Sequence, residues 1–205
     1  GVTLNPTKKL TIALTYQHGA KMNYKGKLAI DMNDPFFTKD LAAQGLKYKP
    51  LVTGDATLQF NLPKRITLGA AYDINERWRV DGFFQVATYS ELNAFIVSTR
   101  SPDLAQPKLG IADNLKVTLP RNWKNTVWVE ASVRFRPTKR LLTSATLGYQ
   151  SAASPDKTVD TASPDGNRII GGIGGGFEAT QRVVLYADAR FQGILPRTVT
   201  TSAGN

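Results

Sequence analysis

Glu130, Glu178 and Asp188, three carboxylates on strand-like stretches, are the side chains of this sequence best suited to acid–base work. Two carboxyl groups flanking a glycosidic bond would hydrolyse it, one as acid and the other as base or nucleophile. Each of the three, however, has an arginine or glutamine at hand on the same face, which favours a network of ion pairs over a reacting pair. His18 is the only histidine, so neither a Ser-His-Asp triad with spare candidates nor a multi-histidine metal site can be assembled. Gly174, Gly176 and Ala179 satisfy a G-x-G-x-x-A spacing. A strand pattern follows them, whereas a dinucleotide fingerprint must open a helix whose N-terminus meets the pyrophosphate. Asp156, Asp160 and Asp165 crowd one stretch, but their spacing misses the EF-hand calcium loop. With no cysteine there is no disulfide framework and no thiolate metal site. The sequence therefore asks for no catalytic residue, no metal and no cofactor, and points away from an enzyme.

The net charge of +10 asks for an anionic partner, either nucleic acid or the phosphates of a lipid surface. The basic residues are scattered through turns and do not form one dense stripe, and no RNP, helix-turn-helix or zinc-finger pattern accompanies them, which argues against nucleic acid. Lys64, Arg65, Arg121 and Lys124 fall at strand rims, where they could meet lipopolysaccharide phosphates or simply be solvated. No stretch approaches the 18 or so consecutive apolar residues of a membrane-spanning helix. A length of 205 residues is read as one unit.

What positions these side chains is strands. Apolar and polar residues alternate in segments of about nine to eleven residues, the length of a membrane-crossing strand. Leu10, Ile12, Leu14 and Tyr16 share one face, as do Ile66, Leu68, Ala70 and Tyr72, and the pattern recurs through Phe191. The opposite face carries Asp81, Glu130, Arg134, Asp188 and Arg190, charges that are costly against lipid but suit a wet lumen. Short turns at Asn5 to Lys9, Asn75 to Arg77, Pro137 to Lys139 and Thr180 to Arg182 alternate with long polar excursions at about 18–54, 90–114 and 151–167. Short on one rim and long on the other is the wiring of outer-membrane barrels, with the long loops extracellular. Tyr72, Trp78, Phe135 and Phe177 near the turns, and Tyr16, Tyr149 and Phe191 near the other ends, read as two interfacial girdles. The expected fold is all-β, an antiparallel transmembrane β-barrel. Seven full strands and a stub at Val2 to Leu4, with no closing strand in the last six residues, read as a fragment of a larger barrel.

Residues 55–78, DATLQFNLPKRITLGAAYDINERW, hold Leu62-Pro63 inside the strand pattern, and residues 114–140, NLKVTLPRNWKNTVWVEASVRFRPTKR, hold Leu119-Pro120. Proline there demands a bulge or break in the ladder. With the stretches GAAYDINERWRVDGFFQVATYSEL, SAASPD and SPDGNR, this resembles the outer-membrane long-chain fatty acid and aromatic-hydrocarbon transporter family, known as FadL, from Leu10 to about Thr198. The resemblance implies about eight strands from the second half of a fourteen-stranded barrel in the bacterial outer membrane. It also implies passive uptake of long-chain fatty acids or other hydrophobic small molecules. The first excursion, with Phe36, Phe37, Leu41 and Leu46, would be one of the loops that form an outer hydrophobic groove, and the second adds Leu92, Phe95, Ile96 and Val97. Expected partners are such a ligand, outer-membrane lipid and lipopolysaccharide, and no nucleic acid. Two rivals remain open at this point: a structural barrel that anchors protein partners of an envelope-spanning complex, and a soluble carrier of lipocalin type.

Overall fold

The structure, a computed structural model, describes residues 1–107, 110, 112–159 and 164–199. Asp160 and the terminal residues 200–205 lie outside them. The described residues contain twelve strands in two antiparallel sheets, and they fall into two compact units.

The first unit spans residues 1–19, 63–91 and 122–205 and is built on an eight-stranded sheet. Its strands are β1 (Val2–Leu4), β2 (Leu10–Gln17), β5 (Arg65–Asp73), β6 (Trp78–Ala87), β9 (Thr126–Phe135), β10 (Leu141–Gln150), β11 (Arg168–Thr180) and β12 (Val183–Ile194), paired in that order. The register carries the alternation from strand to strand without a slip across six strands. Leu14 faces Leu68, which faces Phe84, which faces Val129, then Tyr149 and Ile169. Since directly opposed residues share a face, most of the apolar side chains of these strands gather on one surface. That surface is open: Leu147, Ile173 and Phe191 are each about 70% exposed, which no soluble core would tolerate. Both expected girdles lie on it. Trp78 stacks on Phe135 at 4.2 Å near the short turns, and Tyr16, Tyr149 and Phe191 stand at the far ends.

The same device closes all four short turns. Thr7 Oγ1 accepts from the amides of Lys9 and Leu10, Asn75 Oδ1 from Arg77 and Trp78, Thr138 Oγ1 from Arg140 and Leu141, and Thr180 Oγ1 from Arg182. A short polar side chain satisfies amides that the turn leaves without a ladder partner.

The second unit spans residues 20–62 and 92–121. Here β3 (Lys21–Asp31), β4 (Leu51–Asn61), β7 (Ala94–Arg100) and β8 (Asn114–Pro120) form a four-stranded sheet in that order. The excursions expected at 18–54 and 90–114 thus carry strands of their own, with β3 and the start of β4 in the first and β7 in the second. One π-helical turn, Phe36–Asp40, and one α-helical turn, Leu41–Ala43, join β3 to β4. Val52 and Ser101 are fully buried. Ser101 holds its corner by donating from Oγ to the carbonyl of Thr53 at 2.5 Å while its own amide reaches the carbonyl of Asp113 at 2.8 Å.

The two prolines do what their ring demands. β4 ends at Asn61 and β5 begins at Arg65, so Pro63 sits in the gap, and Pro120 is the last residue of β8. Both also stand where the chain leaves the second unit, after Leu62 and after Arg121. Asn122, immediately beyond, takes the left-handed conformation with φ of 46°, which asparagine tolerates better than most residues.

Candidate functional site

On the polar face of the first unit the predicted charges do meet. Arg134 Nη2 lies 2.9 Å from Asp81 Oδ1, and both guanidinium nitrogens of Arg190 reach the carboxylate of Glu130. Glu130 is nearly buried, while Arg190 is about half exposed. Arg190 stands on β12 and Glu130 on β9, with β10 and β11 between them. Three inter-strand spacings of about 4.8 Å separate these strands, so the pair closes only if the sheet curls toward the face that carries it. The polar face is the concave one. Glycine clears the way: Gly172 faces Arg190, Gly148 faces Glu130, and a Cβ on Gly148 would come within 3.2 Å of the Glu130 side chain. Gly176 performs the same service for Tyr186, whose ring sits 2.6 Å from where a Cβ would stand. Trp128 and Phe83 meet edge to face at 5.1 Å, and Arg190 lies 5.9 Å from the Trp128 ring. Asp188 does not join: it is exposed on β12 and faces Gly174. The residues considered for acid–base work are thus separated, since Glu130 is held by Arg190 and Glu178 follows Phe177 at the short-turn end of β11. Of the aspartates considered for calcium, Asp156 is bound by Arg197, and Asp165 accepts from the amides of Ala153 and Ser154 at 2.7 Å each and pairs with Arg168.

The apolar residues expected to meet ligand lie in the second unit, on several different elements. Phe36 and Phe37 pack edge to face at 5.2 Å on the helical turn, Leu41 opens the next turn, and Leu46 follows it. Phe95, Ile96 and Val97 are on strand β7. There the pleat divides them. Phe95 faces Leu119 and Val97 faces Val117 and Leu58, whereas Ile96 points to the other surface, opposite Gln59 and Thr118.

On the Phe95 surface the structure brings in residues that the sequence reading missed. Tyr24 stacks on Phe60 at 5.9 Å, Phe60 meets Phe95 edge to face at 5.2 Å, and the Arg121 guanidinium covers Phe95 at 4.7 Å. Three rings and the aliphatic side chains of Leu58, Val97, Val117 and Leu119 make one continuous apolar face. Exposure is partial, from half-buried Phe60 and Phe95 to Tyr24 at 51%. The signal was present: Met22, Tyr24, Leu28 and Ile30, and then Val52, Ala56, Leu58 and Phe60, fall on even positions with polar residues mostly between. The back of this sheet is polar and basic, with Lys21, Lys25, Lys27, Arg100 and Lys116, of which Lys27 pairs with Asp55 and Arg100 with Asp113.

The sequence matches the family described as Outer membrane protein transport protein (OMPP1/FadL/TodX) over residues 1–204. No curated protein matches it. Among solved structures, a Pseudomonas aeruginosa FadL homologue has a TM-score of 0.67 and 20% identity, covering 93% of this chain and 41% of its own. The CymD monoaromatic hydrocarbon channel gives 0.63 and 13%, covering 93% and 44%. The Pseudomonas putida toluene transporter TodX gives 0.54 and 14%, covering 93% and 45%. These likenesses are of fold, and the chain spans less than half the length of each structure.

Proposed function

Since this chain belongs to the outer membrane protein transport protein family (OMPP1/FadL/TodX) and lies in the outer membrane, we propose that it forms part of a channel for passive uptake of hydrophobic small molecules. No bond chemistry is involved. In this reading the open apolar surface of the eight-stranded sheet meets lipid, and its concave polar face lines the lumen. The ligand is first taken up on the apolar face of the second unit.

The observation that carries the reading is the run of Tyr24, Phe60 and Phe95, whose rings follow one another at 5 to 6 Å on a partly open surface. Such a row offers flat contact to an aromatic ring and a continuous strip to an alkyl chain, so monoaromatic hydrocarbons and long-chain fatty acids are both candidate ligands. Phe36, Phe37, Leu41 and Leu46 extend the apolar surface available to ligand, and Ile96, on the opposite surface, is left out.

The test is uptake of labelled toluene and labelled oleate by cells expressing the full-length protein, with Phe60→Ala and Phe95→Ala compared with Ile96→Ala. Removing a ring should cut uptake at limiting ligand by roughly tenfold, since truncation of a well-packed aromatic contact costs more than about 1 kcal/mol. Ile96→Ala should leave it unchanged. Equal uptake in all variants at equal surface expression would refute this assignment of the capture surface.

A further inference from the structure

At the short-turn end of the concave face lies a cavity of about 670 Å³ lined by five cations, Lys9, Arg77, Arg79, Arg134 and Arg136, against two carboxylates, Asp73 and Glu76. The sheet register makes the crowding unavoidable. Arg79 is directly opposite Arg134 on β6 and β9. One step nearer the turns, Arg77 and Arg136 are joined by a backbone hydrogen bond of 2.8 Å from Arg136 to Arg77. Arg77 and Arg136 flank the ends of β6 and β9 and line the cavity together with Arg79 and Arg134, so the four guanidinium groups gather at one place, while Trp78 and Phe135 stack on the other face.

Like charges directly opposite one another destabilise a sheet. Two carboxylates relieve the inner pair, Asp73 reaching Arg79 at 3.3 Å and Asp81 reaching Arg134 at 2.9 Å. Among the described residues the outer pair, Arg77 and Arg136, has no acidic partner. Arg79 Nε is buried without a hydrogen-bond partner, a donor whose desolvation nothing in the sheet repays.

We propose that this four-arginine cluster, with Lys9, is a binding site for an oxyanion, a carboxylate or a phosphate, which would bridge Arg77 and Arg136. Planar guanidinium forks recognise the two oxygens of such a group in bidentate fashion. The oxyanion is either free or the head of an amphiphilic acid whose chain runs along the concave face over Leu142. The site stands on the charges of the first unit alone and does not depend on the uptake reading.

Calorimetric titration of the full-length protein in non-ionic detergent tests it, using inorganic phosphate, octanoate and octanol, beside the double variant Arg77→Gln/Arg136→Gln. Octanoate or phosphate should bind and lose at least about tenfold in affinity in the double variant, the loss expected when charge-assisted hydrogen bonds are removed. Phosphate binding as tight as octanoate identifies a free oxyanion, and octanoate alone identifies an amphiphile's head. Each anion that binds should also raise the melting temperature of the native protein. The double variant without anion should melt no lower than the native protein, because a repulsion has been removed. The inference is overturned if neither anion binds, if octanol binds as tightly as octanoate, or if the double variant melts lower and no longer responds to anion. The last result would mean that the arginines hold another part of the protein.

Discussion

Glu130 takes its partner from three strands away, so its charge closes a curve in the sheet as well as neutralising an arginine. Replacing it with alanine should strand the Arg190 guanidinium and cost about 1–2 kcal/mol, less than the loss of a fully buried pair because Arg190 is half exposed. Urea unfolding of the protein in lipid bilayers would measure this, and an unchanged midpoint would show that the pair adds nothing. Gly54 presents the opposite case, a residue needed for what it lacks. A Cβ there would stand 2.4 Å from the Arg100 carbonyl and 2.7 Å from the Ser101 side chain. Gly54→Ala should therefore loosen the second unit by about 1–3 kcal/mol, read as faster proteolysis within residues 92–121 while the eight-stranded sheet keeps its protection. At the rim of the first unit, Lys64 Nζ donates to Glu91 Oε1 at 2.9 Å. That bond holds the Glu91 carboxyl below the ordinary glutamate value and the Lys64 ammonium above the ordinary lysine value. The stabilisation is present above the unfolded glutamate value and is lost as pH falls through the lowered Glu91 value. At the other end it is present below the unfolded lysine value and is lost as pH rises through the raised Lys64 value. The carboxyl carbon of Glu91 should titrate at lower pH than in Lys64→Met, as followed by carbon-13 NMR, and identical titrations would exclude the bond.

At the scale of the element, the wall strands were legible because one of their faces must be apolar from end to end. Leu14, Leu68, Phe84 and Val129 could be aligned from the sequence before any register was known, and so could the four turns with their Thr or Asn at the closing position. The face assignment has a direct test. Leu147 is 67% exposed on the apolar surface at mid-strand, and Thr146 beside it faces the concave side, bonded to Ser132. Leu147→Arg should cost about 2–4 kcal/mol in a bilayer, the depth-dependent cost of a charge against lipid, while Thr146→Arg should cost much less. Equal costs would mean that the two faces are misassigned. Strand β3, the start of β4 and strand β7 were passed over as polar excursions, and in the first of these lysines at 21, 25 and 27 and the turn residues from Asn33 to Pro35 masked a regular alternation at even positions. The candidate site suffered from the same masking. Phe95 was found as an apolar residue, but its neighbours Tyr24 and Phe60 come from stretches 71 and 35 positions earlier in the chain, and only pairing through β4 and β7 brings them together.

For the whole molecule, alternation of apolar and polar residues made the all-β fold legible. The separation into two units was written in Leu62-Pro63 and Leu119-Pro120, but a proline announces a break in a ladder and does not say what lies beyond it. The second unit is made from two hairpins, each with its ends fastened by a single backbone bond of 2.7 Å, from Leu62 to the Ala20 carbonyl and from Arg121 to the Asn93 carbonyl. None of the ladders of the eight-stranded sheet passes through them. They are therefore cassettes: a hairpin of another length or sequence, joined at the same two residues, leaves the wall's register as it was. If the second unit captures ligand as proposed, ligand preference drifts by exchange of cassettes while the membrane-embedded wall stays under separate constraint, and chimaeras cut at residues 20, 62, 92 and 121 are the natural units in which to transplant it.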